Sequence, residues 1–155
     1  MTEIFLCRDN VHDSLNKLLK AKLTEPFEIL KTENGKPYIE GNPVHFSISH
    51  SGNIGIIAIS DKPVGIDIEV YSDCMRYSVL ERFSEREQAE IADGCDFLRH
   101  WTVREAFVKL YGLTIAKMWK RIEFFDGNLY LDGERQNLKI RTYDFGFGVG
   151  TVATL

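Results

Sequence analysis

The chain has 155 residues, 44% hydrophobic and 27% charged, proportions that fit a globular domain and exclude a long disordered or fibrous chain. Its formal net charge of −4 disfavours non-specific nucleic-acid binding, which depends on Lys and Arg neutralising phosphates. No apolar run approaches the roughly 20 residues of a bilayer-spanning helix, so no membrane association is expected.

"MTEIFLCRDN" carries an acid at position 3 and no long apolar core, so it does not read as a signal peptide. Residues Ile4–Arg8 read as a strand, broken by Asp9 and Asn10. Val11, Leu15, Leu18 and Leu19 then recur at helical spacing and predict an amphipathic helix. "FEILKTENGKPYI" reads as two short strands around the Asn34-Gly35 turn. "VHFSISHSG" and "IGIIAIS" are strand-like, and Asp61-Lys62-Pro63 is a turn into a further strand, "VGIDIEV". "MRYSVLERF" predicts a short helix. Ser84 with Glu87 three residues on forms a capping box for the next helix. A longer helix is expected from about Asp96 to Tyr111, stopped by Gly112. The tail returns to strands: "RIEFF", "NLYL", "LKIRTYDF" and "GVGTVATL", with turns at Asp126-Gly127 and Asp132-Gly133. The second half loosely echoes the first with more helix, and Lys62-Pro63 is the best boundary. Cys7, Cys74 and Cys95 are odd in number and widely spaced, which fits a reducing cytoplasm better than a disulfide or zinc framework.

Three stretches carry chemistry. Asp67 and Glu69 lie two apart on a strand, so both carboxylates share one face while Ile66, Ile68 and Val70 take the other. A hard cation between them would offset their repulsion; a half-exposed strand with an acidic outer face is the plainer alternative. On the long helix Trp101, Glu105 and Lys109 are four apart and form one stripe, equally readable as a surface ion pair. Ser49, His50, Ser51 and Gly52 could accommodate phosphate oxygens or simply form a hairpin turn. Ser49 and His50 point to opposite faces, so they do not make a nucleophile–base pair. His12, His45 and His100 show no ligand spacing.

G-K-P, S-H-S-G, G-I-D-I-E and W-x-x-R-E-A-x-x-K occur here in that order. Together they resemble the 4′-phosphopantetheinyl transferases, the type that activates peptide and polyketide synthetases. The resemblance covers roughly Gly35 to Gly112. It implies an α+β fold of two pseudo-twofold lobes, residues 1–63 and 64–155, each a three-stranded antiparallel sheet with helices, with the active site between them. It implies Asp67, Glu69 and Glu105 as ligands of Mg²⁺, with Glu105 and Lys109 as catalytic residues. Lys36 and Pro37 would line the nucleotide end of coenzyme A, and Ser49 and His50 its phosphates. The implied reaction moves phosphopantetheine to a serine of an acyl or peptidyl carrier protein, in a cytoplasmic monomer, with 3′,5′-ADP as leaving group. A non-catalytic protein that binds coenzyme A or a carrier domain is the rival reading. Arg104 stands where the family usually has Lys. The first lobe is short against its relatives, so Lys17 and Lys20 are expected to face the cleft near Lys36 and His50 and hold the 3′-phosphate, with Lys22 turned to solvent. Arg76, Arg82 and Arg86 are the expected docking patch for the carrier.

Overall fold

Two runs of the chain are wound in the same order. In the first, β1 (Thr2–Cys7) leads to α1 (Val11–Lys22), the hairpin β2 (Ile29–Lys31) and β3 (Pro37–Ile39), then β4 (His45–Ser51) and β5 (Ile54–Ser60). In the second, β6 (Val64–Val70) leads to α2 (Tyr77–Leu80), α3 (Glu85–Glu90), α4 (Gly94–Tyr111) and α5 (Ile115–Met118). The strands β7 (Ile122–Phe125), β8 (Asn128–Leu131) and β9 (Glu134–Arg135) follow, then β10 (Lys139–Asp144) and β11 (Gly148–Thr154). The resulting sheets are β1-β5-β4 and β6-β11-β10, so in each the last strand is central and the first is an edge. All pairings are antiparallel. Two smaller sheets, β2-β3 and β7-β8-β9, complete an α+β fold. The computed structural model describes residues 1–41, 43–71 and 77–155. Cys74 and Arg76, and with them the start of the helix expected over "MRYSVLERF", lie outside the described residues.

Local chemistry sets the helix ends. The Asn10 side chain accepts from the N–H groups of His12 (2.9 Å) and Asp13 (3.2 Å), which begins α1. Val11, Leu15 and Leu19 are buried on α1 and pack on Ile57 and Ile59 of β5, while Leu18 is only partly buried. Each such side chain stabilises the fold by about 1.5–3 kcal/mol when fully buried. The capping box of Ser84 and Glu87 is present on α3. α4 starts two residues earlier than its sequence pattern predicts, because Asp93 rather than a later residue caps it. It ends at Gly112, whose φ of 65° is the left-handed conformation of a helix stop.

The two main sheets face each other. Ile56 and Ala58 of β5 pack against Ile66 and Ile68 of β6 and Val152 of β11. α1 covers the outer face of the first sheet, and α4 covers the outer face of the second. α4 also presents Val103, Phe107 and Val108 to Ile122, Phe124 and Leu129, so it is buried on most sides and carries polar residues such as Thr102 and Arg104 into the interior. No helix among the described residues is long and apolar enough to cross a membrane. Cys7 and Cys95 are free thiols.

Candidate active site

β6 and α4 touch because of one glycine. A Cβ on Gly65 would stand 2.0 Å from the Ala106 carbonyl oxygen and 2.4 Å from the Leu110 nitrogen, so only glycine lets the helix lie this close. Asp67 and Glu69 follow Gly65 on the same face by strand alternation, and therefore look toward the helix. Thr102 of α4 and Thr151 of β11, the register partner of Asp67, fix the crossing through a hydroxyl–hydroxyl bond of 2.8 Å.

Lys109 Nζ lies 2.6 Å from Asp67 Oδ1, and Ser49 Oγ donates to the same oxygen at 2.7 Å. Asp67 is 4% exposed, and its other oxygen, Oδ2, is buried without a hydrogen-bond partner among the described residues. Burial pushes the Asp67 carboxyl above its ordinary range; Lys109 and Ser49 oppose that shift, and Glu69 adds to it. Glu105 is pushed up to about 7, first by burial and then by the charge of Asp67, with a smaller push from Glu69 and an opposing pull from Lys109. The three acids of the sequence reading therefore sense one another across β6 and α4. Among the described residues no three His, Cys, Asp or Glu side chains form a ready-made metal cluster as they stand. The Lys109 ammonium supplies positive charge at Asp67 instead. An orphaned, buried carboxylate oxygen beside two further carboxylates is nevertheless the oxygen-rich donor set that a hard divalent cation takes.

Lys36 and Pro37 line a cavity of about 450 Å³ that also takes in Glu105, Lys109, Ser47 and Val108. The Lys36 ammonium donates to the carbonyls of Leu110 (2.5 Å) and Val64 (3.4 Å), tying the β2–β3 turn to the ends of α4 and β6. Burial lowers its pKa to about 8. His50 is exposed and points away from Ser49, onto the face of β4 that carries Ile48. Lys17 and Lys20 do not join Lys36: they line an adjoining groove between α1 and the segment before β2, which shares Asn16 and Ile29 with the Lys36 cavity. The turn of α1 explains this, since its buried stripe puts Leu15, not the lysines, toward the cavity. Lys22 is paired with Glu3 at 2.5 Å rather than simply facing water. Arg82 and Arg86 are exposed and lie over the rings of Trp119 and Phe125, while Arg76 is outside the described residues.

Arg104 turns away from the acids. It is 1% exposed, and its guanidinium bonds both oxygens of fully buried Glu87 and the Ile122 carbonyl, and lies against the rings of Phe83 and Trp119. Glu87 therefore does more than cap α3: it also accepts from the Phe124 N–H at 2.9 Å. Burial pushes the Glu87 carboxyl up, but His100, Arg104 and that backbone donor outweigh it and bring the pKa to about 2. The one sequence signal for this network was a charged residue inside the apolar run "WTVREAFV".

Residues 63–146 match the 4′-phosphopantetheinyl transferase superfamily. A 4′-phosphopantetheinyl transferase of Bacillus subtilis is 36% identical over 127 residues, 72% of this chain and 55% of the relative. The 4′-phosphopantetheinyl transferase Sfp of Bacillus subtilis (strain 168) is 27% identical over 146 residues, 84% of this chain and 64% of the relative. The transferase gsp of Aneurinibacillus migulanus is 36% identical over 88 residues, 53% of this chain and 37% of the relative. The alignments thus take in between 37% and 64% of these relatives' own lengths. Asp67, Glu69, Glu105 and Lys109 all fall within the matched stretch, and the chain belongs to the 4′-phosphopantetheinyl transferase superfamily.

Proposed function

We propose that this protein transfers the 4′-phosphopantetheine group from coenzyme A to a serine of an acyl or peptidyl carrier protein, releasing 3′,5′-ADP. The serine oxygen forms a bond to the β-phosphorus, the bond from that phosphorus to the bridging oxygen breaks, and the serine proton leaves to a base. Glu105 is that base. With no cation bound, burial and the neighbouring Asp67 raise the Glu105 carboxyl to about 7, which suits proton acceptance near neutral pH. Lys109 lines the Lys36 cavity, where its positive charge would meet the phosphates and offset charge on the leaving group. Lys36 and Pro37 line the nucleotide end, with His50 at the phosphates. Asp67, Glu69 and Glu105 would hold a magnesium ion, which, when bound, supplies charge that polarises the phosphoryl oxygens.

The observation that carries this reading is the raised Glu105 beside Asp67, whose buried Oδ2 has no partner, at the edge of a cavity shared with Lys36. We read residues 1–63 and 64–155 as the two lobes, with the carrier docking over Arg82 and Arg86 and the protein acting as a cytoplasmic monomer. Incubation with coenzyme A, Mg²⁺ and a panel of apo carrier proteins, followed by intact-mass measurement, tests the proposal. One phosphopantetheinyl adduct on the carrier is expected. Coenzyme A binding by calorimetry with no adduct on any carrier would replace transfer with the binding-only alternative.

A further inference from the structure

Serines alternate along β4 at positions 47, 49 and 51, all on the face that meets β6. Each hydroxyl crosses the gap. Ser47 Oγ accepts the Ile66 N–H at 3.1 Å. Ser49 Oγ donates to Asp67 Oδ1 at 2.7 Å. Ser51 Oγ accepts the Val70 N–H at 3.1 Å and donates to Glu69 Oε2 at 2.9 Å.

A serine hydroxyl has one hydrogen to give. In Ser49 and Ser51 that hydrogen is committed to a carboxylate. Phosphate oxygens are acceptors, so a hydroxyl left with lone pairs alone has nothing to offer them. We propose that Ser49 and Ser51 are positioning residues that set the orientation of Asp67 and Glu69, and that they do not bind the phosphates of coenzyme A. Ser49 and Lys109 both occupy Asp67 Oδ1, which holds the carboxylate so that Oδ2 is left without a hydrogen-bond partner among the described residues. Ser51 is anchored by a backbone N–H and clamps Glu69 from there. Because β4 and β6 belong to different sheets, the hydroxyls make the placement of the acids depend on how the sheets meet. The inference rests on the transferase reading above.

The test is a calorimetric titration of coenzyme A into the parent, Ser49→Ala, Ser51→Ala and Ser51→Thr proteins, once with Mg²⁺ and once with EDTA. Thermal unfolding confirms that each variant is folded. In EDTA all four proteins should bind within about twofold of one another, since no phosphate contact is removed. The gain in affinity that Mg²⁺ gives the parent should fall about tenfold in each alanine variant, the size expected of a hydrogen bond to a charged group. Ser51→Thr, which keeps the hydroxyl, should retain most of that gain. Equal losses with and without Mg²⁺ would make the serines phosphate ligands and overturn the proposal, as would alanine variants with the full gain. A parent that gains nothing from Mg²⁺ overturns the functional reading itself, and this inference with it. Should Ser49→Ala fail to fold, the less buried Ser51 decides the question alone.

Discussion

Replacing Glu87 by Ala removes the sole carboxylate bonded to Arg104 among the described residues and leaves a guanidinium that is 1% exposed without a counter-charge. A carboxyl held at about 2 in the folded protein against an ordinary 4.5 corresponds to about 3 kcal/mol of stability at neutral pH. Removing one partner of a buried pair typically costs about 3–5 kcal/mol, because the abandoned charge stays desolvated. The rings of Phe83 and Trp119, 4.5 and 4.9 Å from the guanidinium, soften that loss without replacing the bidentate bond. The expected cost is therefore about 3–4 kcal/mol, read as a shift in the urea midpoint and as a fall of about 10 °C in melting temperature. The acid limb gives a second readout. A depressed carboxyl contributes stability that is complete above pH 4.5 and is lost as pH falls toward about 2, so the parent should weaken over that window. Glu87→Ala should weaken less there. A loss under about 1 kcal/mol at pH 7, with an unchanged acid limb, would refute the reasoning that this buried pair stabilises the fold.

Glu105 is the opposite case. Its raised pKa means the folded state holds a proton that the unfolded chain releases, so stability declines as pH rises from 4.5 through about 7. Glu105→Gln should remove that decline and gain about 1–2 kcal/mol at pH 8 after solvent screening, while transfer measured by intact mass is lost. Asp67→Asn should also abolish transfer. Burial disfavours the ionised form of Asp67, so chemical denaturation should show this variant no more than about 1 kcal/mol less stable than the parent. Gly65→Ala should cost about 3 kcal/mol or more in thermal unfolding, because the new methyl meets helix backbone rather than a movable side chain; a melting temperature equal to the parent's would contradict the close crossing.

Much of the frame was legible in the sequence for local reasons. Asn34-Gly35, Asp126-Gly127 and Gly112 need backbone conformations that few residues tolerate, and all of these glycines have positive φ. The period-2 acids of β6 were readable because alternation on a strand leaves no choice of face. What spacing could not give was direction on α4. That helix is buried on most sides, so periodicity did not tell Arg104, which faces Glu87, from Glu105, which faces β6. Lys36 was read as a ligand-lining residue, and no sequence signal indicates that its ammonium also reaches the Leu110 and Val64 carbonyls. The serines of β4 and the acids of β6 share the same period of two, and that coincidence was the one available sign that the strands face each other.

β4 and β6 are also edge strands, and an edge strand presents a row of backbone groups that can recruit another chain. Here two such edges are turned toward each other, and the N–H groups of Ile66 and Val70 are satisfied by serine hydroxyls instead of by a neighbouring strand. When the seam opens, during folding or under heat, "VGIDIEV" becomes an uncovered, β-branched template for self-association. Asp67 and Glu69 then act as gatekeepers, since stacking copies of this strand would align like charges. Neutralising both of the carboxylates that define the candidate site is therefore expected to lower solubility in the partly unfolded state even where the native fold persists.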